Sequence, residues 1–234
     1  HRANIIVHNP SEQKNLRCLY HGRKFNLDGE FKSMPDFEEA KNFPRDCENL
    51  KSFPVSRLGP FLFTSLEPEF NIKKIFDEIA NRLSFFKFEK LVERPDLTSE
   101  HIVKANWAIY CENYLDPFHI PFVHKELTSV LDINQYKTEI YDNYNLQIGY
   151  SKDDEDSFEI TEGNKDFGKK ISAYYYWIFP NLMLNFYPWG LSINVITPIN
   201  KNRTKVSFIQ FMMDESKYDL GAGGLIDKVE REDE

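Results

Sequence analysis

Two histidines and a carboxylate lie close together in the middle of the chain. Asp116 precedes His119 by three residues, and His124 follows His119 by five. Imidazole nitrogen and carboxylate oxygen are donors that bind divalent first-row metals such as iron. These residue types at this spacing predict a metal site, although two surface histidines on an ordinary helix would give the same spacing.

The spacing does not suit a regular helix. At about 100° per residue, Asp116 and His119 share a helix face, whereas His124 is rotated by about 140° from His119. Pro117 and Pro121 can deform such a helix, because proline cannot donate to the carbonyl four residues back and its ring pushes that carbonyl aside. We therefore expect a kinked helix.

A second group of metal-binding residue types lies near the start of the chain. Cys18 and His21 are separated by two residues just before Gly22, and His1 lies 17 positions before Cys18. Taken alone, Cys-x-x-His favours a buried thiol beside a turn histidine.

Composition limits the function classes. The chain has 234 residues with 41% hydrophobic and 15% aromatic residues, which is typical of a globular protein with one large or two modest domains. A net charge of -8 argues against nucleic-acid binding, and no apolar run approaches the length of a membrane span. The 3 cysteines cannot form a disulfide framework, which favours a reducing compartment, and we expect a cytoplasmic protein. Because the chain begins with His, we expect a piece of a longer polypeptide.

The hydrophobic pattern predicts an α+β protein. Residues 1–66 show short strands and turns, with strands expected at 4–8, 16–20, 23–27 and 61–64. A helix is expected after the N-cap Asn71, with one apolar face that belongs to the core. Further strands are expected in 85–104, 135–150 and 168–213, a solvated acidic loop in 151–170, and a helix in 224–234.

Both metal motifs resemble one family. His-Arg before Cys-Leu-Tyr-His-Gly resembles the Rieske [2Fe-2S] domain, and Glu-Asn-Tyr-Leu-Asp-x-x-His-x-Pro-x-x-His-Lys resembles the catalytic motif of Rieske non-haem iron oxygenase α subunits. The resemblance implies an N-terminal all-β Rieske domain in residues 1–66. It implies a helix-grip catalytic domain in residues 67–234, in which an antiparallel sheet wraps against a long helix.

The resemblance also implies the ligands of the cluster. His1, Cys18 and His21 match three of the four, and the fourth, a cysteine, is expected two positions before residue 1. Arg23 stands where many relatives carry Trp, a departure that leaves the ligands unchanged.

For the mononuclear iron, the resemblance implies His119, His124 and a carboxylate on a late helix. Asp233 matches best, with Asp227 and Glu230 as alternatives, although this acidic run is also typical of a solvated helix face. Asn113 and Asp116 are implied as catalytic residues. By the resemblance, Asp116 accepts a hydrogen bond from His119 and reaches a Rieske histidine of the adjacent subunit.

The function implied is an O2-dependent hydroxylation of a small organic substrate. Electrons come from NAD(P)H through a reductase, with or without a ferredoxin, and the protein is expected to be a homotrimer that binds neither nucleic acid nor membrane. The motif is most similar to that of the branch acting on choline, betaines and carnitine. An aromatic substrate remains open, and so do a Rieske electron carrier and a helix-grip ligand-binding protein.

Overall fold

The chain divides into two compact units. The structure, a computed structural model, describes residues 1, 3–153, 157–224, 228–229 and 232. The first unit comprises His1–Ser56 and Leu62–Pro68, and the second comprises Arg57–Phe61 and Glu69–Glu234. The predicted domain boundary between residues 66 and 67 stays a prediction.

Short strands form the first unit, as expected from its turn-rich sequence. The strands are β1 (Leu16–Arg17), β2 (Lys24–Phe25), β3 (Phe31–Ser33), β4 (Val55–Leu58) and β5 (Phe61–Thr64), of which β4 and β5 form a hairpin at the division between the units. β1, β2 and β3 form an antiparallel sheet in that order. The strand predicted at residues 4–8 does not form, because an apolar run becomes a strand only where another strand offers hydrogen bonds.

Arg23 is buried in the first unit. It donates to Glu48 Oε2 at 2.7 Å, and its guanidinium carbon lies 5.2 Å from the ring centroid of Phe31 and 5.6 Å from that of Phe43. A guanidinium can stack on aromatic faces while it pairs with a carboxylate, which an ammonium group does less well. Arg23 therefore pairs with a buried carboxylate while its guanidinium lies among aromatic rings.

A large antiparallel sheet forms the second unit. Its strands are β6 (Val92–Glu93), β7 (Ser99–Val103), β8 (Lys137–Ile140), β9 (Tyr144–Tyr150), β10 (Ile171–Ile178), β11 (Leu182–Tyr187), β12 (Gly190–Asn200) and β13 (Arg203–Met212). The order is β6-β13-β12-β11-β10-β9-β8, and β7 also pairs with β13. The strands predicted in 135–150 and 168–213 are confirmed. In 85–104 the prediction is wrong for Phe88, which begins a 3-10 turn over Phe88–Lys90.

Along the central strands of this sheet, successive side chains point alternately to its two faces. Tyr174 on β10 lies beneath Phe85, with ring centroids 6.3 Å apart, on the face that also carries Phe186. Tyr175, its neighbour in sequence, is paired with Gln147 on one side and Asn185 on the other. Because successive side chains point to opposite faces, these three residues share the second face.

The helices are short. They are α1 (Ile72–Arg82), α2 (Trp107–Leu115), α3 (Ile120–Val123), α4 (Lys125–Val130) and α5 (Gly221–Gly224). Asn71 caps α1 by accepting from the backbone N of Lys73 at 3.1 Å, and the predicted apolar face is buried. The motif segment is not one long helix, because the chain breaks at Asp116 and at His124. The helix predicted at 224–234 lies mostly outside the described residues and stays a prediction. Within the residues described, no helix has the length and apolarity required to cross a bilayer.

A buried ion-pair network joins α1 to the sheet. Arg82 donates to Asp166 Oδ2 at 2.6 Å and to Glu139 Oε2 at 2.8 Å. Burial alone would raise the pKa of Glu139. The hydrogen bonds that its carboxylate accepts from Arg82, Lys137 and Tyr141 outweigh this effect and lower the pKa to about 2. The expectation of a solvated loop at 151–170 is therefore wrong at Asp166, whose side chain is 1% exposed, because a cation from a distant helix pairs with it.

Glycine allows α5 to pack closely on the second face of the sheet. Trp189 is fully buried, and its ring stacks on Tyr187 with centroids 5.3 Å apart. A Cβ atom on Gly223 would lie 2.7 Å from Cδ1 of Trp189 and would also overlap Nε1. Among the described residues, no group hydrogen-bonds Nε1 of Trp189. The position therefore accepts only glycine while the indole is in place.

We predict that Arg82→Met lowers the free energy of unfolding by about 3–5 kcal/mol, because it leaves two carboxylates without their buried cation. Urea denaturation followed by circular dichroism measures this loss. Arg94→Met is the matched control, since Arg94 pairs with Asp96 and Glu215 at the surface and should cost much less. Equal losses in the two variants would contradict a structural role for the buried network.

We predict that Gly223→Ala destabilises the protein by about 1–3 kcal/mol, because the added methyl group overpacks against Trp189. In the Gly223→Ala/Trp189→Phe double variant, Nε1 of Trp189, the atom that the methyl group would approach most closely, is absent. Thermal unfolding of the two single variants and the double variant should therefore show a cost smaller than the sum of the single costs. Strictly additive costs would show that the two side chains do not meet.

Candidate active site

Backbone breaks shape the segment that carries the two motif histidines. α2 follows its N-cap Asn106, whose side chain accepts from Ala108 N at 3.0 Å. The helix ends before Asp116, whose backbone is extended at φ -94 and ψ 106. Asp116 Oδ1 then caps the 3-10 turn Pro117–His119 by accepting from Phe118 N at 2.8 Å. The expected deformation is thus present at Pro117.

Pro121 acts differently from the expectation. It lies in the first turn of α3, where the backbone N–H that proline lacks would have no intrahelical acceptor. It therefore starts a new helix and does not kink an existing one. The second break falls at His124, which has φ -100 and ψ 67 and separates α3 from α4.

The breaks bring the two imidazoles together. Nε2 of His119 lies 3.1 Å from Nε2 of His124, and the ring planes are inclined by 75°. Two nitrogen donors at right angles on one metal ion, each bound at about 2.1 Å, would be about 3.0 Å apart. The observed separation therefore fits two neighbouring coordination positions of a single metal ion, and imidazole suits iron.

The remaining predicted site residues do not complete a ligand set. Asp116 Oδ2 lies 4.0 Å from Nδ1 of His119, which is longer than a hydrogen bond. Asp233, and the alternatives Asp227 and Glu230, lie outside the described residues. Within the part of the chain that the structure describes, no group of three or more His, Cys, Asp or Glu residues could hold a metal ion. The third ligand thus stays a prediction.

Glu232 is a partner of His124 that sequence reasoning missed. Its Oε2 lies 2.8 Å from Nδ1 of His124, the ring nitrogen opposite the one that faces His119. The only sequence signal was the acidic character of the last residues, and it did not distinguish Glu232 from its neighbours. The contact joins residues 108 positions apart.

A cavity of about 100 Å³ lies beside the two histidines. The predicted residues Asn113 and Asp116 line it together with His119 and His124. Its other lining residues come from α2, α3, α4, the segment between α4 and β8, the sheet, and the C-terminal segment that follows β13: Tyr110, Tyr114, Ile120, Leu127, Leu131, Tyr136, Gln147, Tyr175, Asn185, Tyr187, Asn194, Ala222 and Val229.

Hydrogen bonds fix the polar groups of this cavity. The hydroxyl of Tyr114 donates to Asn185 Oδ1 at 2.7 Å, and that of Tyr136 donates to Gln147 Oε1 at 3.1 Å. Gln147 Nε2 in turn donates to the carbonyl of Tyr114 at 2.8 Å. Burial raises the pKa of both Tyr114 and Tyr136 well above the usual value, so both phenols stay neutral. The cavity thus combines aromatic walls with neutral hydrogen-bonding groups.

In the first unit, the structure brings His1 next to Cys18. Nδ1 of His1 lies 3.3 Å from Sγ of Cys18, which is buried and also 3.6 Å from Asn4 Oδ1. The backbone N of Cys18 donates to the carbonyl of Arg23 at 2.8 Å and closes the loop that carries the exposed His21. His1 and Cys18 therefore lie side by side in the first unit, whereas the thiolates and imidazoles of a Rieske cluster bind different irons, and the ligand set stays a prediction.

Comparison with known proteins identifies two regions. Residues 88–220 match the family model described as ring hydroxylating alpha subunit (catalytic domain), and residues 1–53 match that of the Rieske [2Fe-2S] domain. The chloroplastic choline monooxygenase of Arabidopsis thaliana is 30% identical over 91% of this chain and 51% of the relative. The carnitine monooxygenase oxygenase subunit of Escherichia coli (strain K12) is 26% identical over 94% and 58%. The chain spans about half the length of these curated relatives.

Solved structures share the fold. A quaternary ammonium Rieske monooxygenase, studied for carnitine oxidation and inter-subunit electron transfer, has a TM-score of 0.68 at 16% identity, over 100% of this chain and 64% of that chain. Naphthalene 1,2-dioxygenase from Rhodococcus sp. with bound indole has a TM-score of 0.64 at 15% identity, over 97% and 63%. The predicted α+β fold class, a Rieske domain followed by a catalytic domain built on an antiparallel sheet, is confirmed.

We predict that His119→Ala and His124→Ala each weaken Fe(II) binding to the second unit by more than about 100-fold. Loss of only the hydrogen-bond partner of a metal ligand can lower metal affinity by up to about 100-fold, and loss of the ligand itself should cost more. The reason is that each variant removes one of the two Nε2 donors. Equilibrium dialysis under argon measures the affinity. His101→Ala is the control, since this histidine lies on β7 against Phe208. Unchanged affinity in both motif variants would exclude a metal ion between the two rings.

Proposed function

The chain belongs to the ring-hydroxylating α-subunit family of Rieske oxygenases, and we propose that it acts in an oxygenase that hydroxylates a small organic substrate with O2. The pair of Nε2 atoms 3.1 Å apart beside a cavity carries this proposal. Electrons come from NAD(P)H through a reductase. The predicted cytoplasmic location stays a prediction.

His1, Cys18 and His21 would be three of the four protein ligands of the [2Fe-2S] cluster. His119 and His124 would hold the mononuclear iron, with Asp233 as the anionic third ligand. When bound, the cluster supplies single electrons and the mononuclear iron supplies the site at which O2 is reduced. Only three protein ligands on that iron leave the remaining positions open, as oxygenase chemistry requires.

The cavity suits a quaternary ammonium substrate. Tyr114, Tyr136 and Tyr175 supply aromatic faces, which attract a cation that cannot donate hydrogen bonds. Among the described lining residues, none is Lys or Arg, so no fixed cation of these walls repels the substrate or binds a carboxylate. These features favour a cation with a neutral polar end, as in choline, over a zwitterion such as carnitine.

An aromatic substrate is the second candidate. Ile120, Leu127 and Leu131 give one side of the cavity an apolar surface, which a flat hydrocarbon would also contact. The aromatic walls alone do not distinguish the two classes. Discrimination depends on charge, because only a cation gains from the electron-rich ring faces.

Two other classes of protein account for less of the chain. A Rieske electron carrier would need the first unit only and would leave the cavity without a use. A ligand-binding protein with the same sheet would need neither the His119–His124 pair nor the thiol and imidazole at Cys18 and His1. Iron and acid-labile sulfide analysis of the full-length protein distinguishes these classes, because only the oxygenase holds both a cluster and a mononuclear iron.

The experiment that tests the oxygenase proposal is a substrate screen on the iron-loaded full-length protein. NADH-dependent O2 uptake is measured with a surrogate reductase in the presence of choline, carnitine, glycine betaine and naphthalene. We expect stimulation by choline above the other compounds, with a hydroxylated or dealkylated product. If only naphthalene stimulated O2 uptake, the substrate would belong to the aromatic class. If the full-length protein bound no iron, the oxygenase proposal would be overturned.

Electron delivery is proposed to cross between subunits of a homotrimer. The side chain of Asp116 is partly exposed next to two phenylalanines of the motif segment, Phe118 and Phe122, which are 82% and 79% exposed. Such large exposed apolar side chains are common at protein interfaces. An adjacent subunit covering them would place its Rieske histidines, His1 or His21, near Asp116.

We predict that Asp116→Asn keeps both iron centres and the trimer but loses steady-state turnover, because the amide no longer bridges the two centres as an anion. Rapid mixing of the reduced protein with O2 and substrate should show a cluster that stays reduced. Asp132→Asn is a control, since Asp132 caps a turn away from the motif. Reoxidation of the Asp116→Asn cluster at the wild-type rate would rule out the bridge.

A further inference from the structure

His124 has a different contact at each ring nitrogen. Nε2 lies 3.1 Å from Nε2 of His119, and Nδ1 lies 2.8 Å from Oε2 of Glu232. The His124 side chain is 2% exposed, whereas that of Glu232 is 29% exposed. One nitrogen therefore faces the proposed metal position, and the other is in contact with a carboxylate at the edge of the protein.

We infer that Glu232 is the positioning residue of His124: its carboxylate accepts a hydrogen bond from Nδ1 and so directs the Nε2 lone pair toward the metal. The inference rests on the proposed function. It assigns to Glu232 a role different from that of the predicted ligand Asp233, since Glu232 acts on the metal only through the imidazole.

Tautomer control is the physical reason. A neutral imidazole carries one proton, and its metal-binding nitrogen must be the one without it. A carboxylate opposite Nδ1 holds the proton there, fixes the ring rotation and makes Nε2 a stronger donor. Without this acceptor, His124 could adopt the other tautomer, in which Nε2 carries the proton and cannot bind a metal.

The contact also links the C-terminal segment to the break between α3 and α4. His124 lies at that break, and its backbone N donates to the carbonyl of Ile120 at 2.9 Å. Lys228, in the same C-terminal segment, donates to Glu126 on α4. Of the described residues in this segment, Lys228 thus reaches α4 and Glu232 reaches a motif histidine.

This pair of contacts provides a matched control. Glu126→Ala removes the surface ion pair with Lys228 but leaves Nδ1 of His124 with its acceptor. Glu232→Ala removes the acceptor itself. Glu232→Gln keeps one, because the amide oxygen can still accept from Nδ1–H. A ligand role would give a different order, since an uncharged amide replaces a carboxylate ligand poorly.

The test is Co(II) titration of the iron-depleted full-length protein, followed by the visible absorption of the bound ion, with thermal unfolding as a check of folding. We expect Glu232→Ala to weaken Co(II) binding at the histidine pair by about 10–100-fold. Glu232→Gln should lie much closer to the wild type, and Glu126→Ala should equal it. The coordination spectrum at saturation should be the same in all variants.

Two results would overturn the inference while leaving the proposed function intact. Wild-type affinity in Glu232→Ala would show that the contact does not matter for the metal. Equal loss in Glu232→Gln and Glu232→Ala, with a changed spectrum, would make Glu232 a ligand. If the wild type bound no Co(II) in a way that depends on His119 and His124, the proposed function itself would fail.

Discussion

The site depends on one geometric requirement: two imidazole nitrogens must lie about 3 Å apart to share a metal ion. An unbroken helix cannot meet it with residues five apart, because such residues point in different directions. The chain breaks at Asp116 and again at His124, and a 3-10 turn and a short helix lie between these breaks. Asp116 makes the first break possible, because its side chain caps the turn that follows.

The sheet supplies a row of side chains with polar groups. Gln147, Tyr175 and Asn185 are opposite one another on neighbouring strands, so strand register alone places them in a row beneath the histidines. Ser192 and Gln210 continue this row on the next two strands. Buried polar groups are costly unless they are paired, and several of these side chains are hydrogen-bonded to one another or to the backbone. Gln147, Tyr175 and Asn185 of this row line the cavity, and hydrogen bonds hold the side chains of Gln147 and Asn185 in place.

Both faces of this sheet contribute to stability, and one of them also carries the candidate site. Arg82, Asp166 and Glu139 connect α1 to one side, although they are far apart in the sequence. On the opposite side, glycine at position 223 lets α5 lie directly on Trp189, close to where the C-terminal segment reaches His124 through Glu232.

The sequence by itself predicted the capped helix α1 and the strands of the sheet, because these follow from N-capping and hydrophobic period. The family was indicated by the resemblance of the two metal motifs, and not by any periodicity. Tertiary structure decided that Asp166 is buried, that Glu232 contacts His124, and that Tyr114 and Gln147 line one cavity. Each of these contacts joins distant parts of the chain, and the residue types involved are ordinary at the surface. Only the partner brought to each side chain by folding distinguishes it from a solvated residue, and no local pattern encodes that partner.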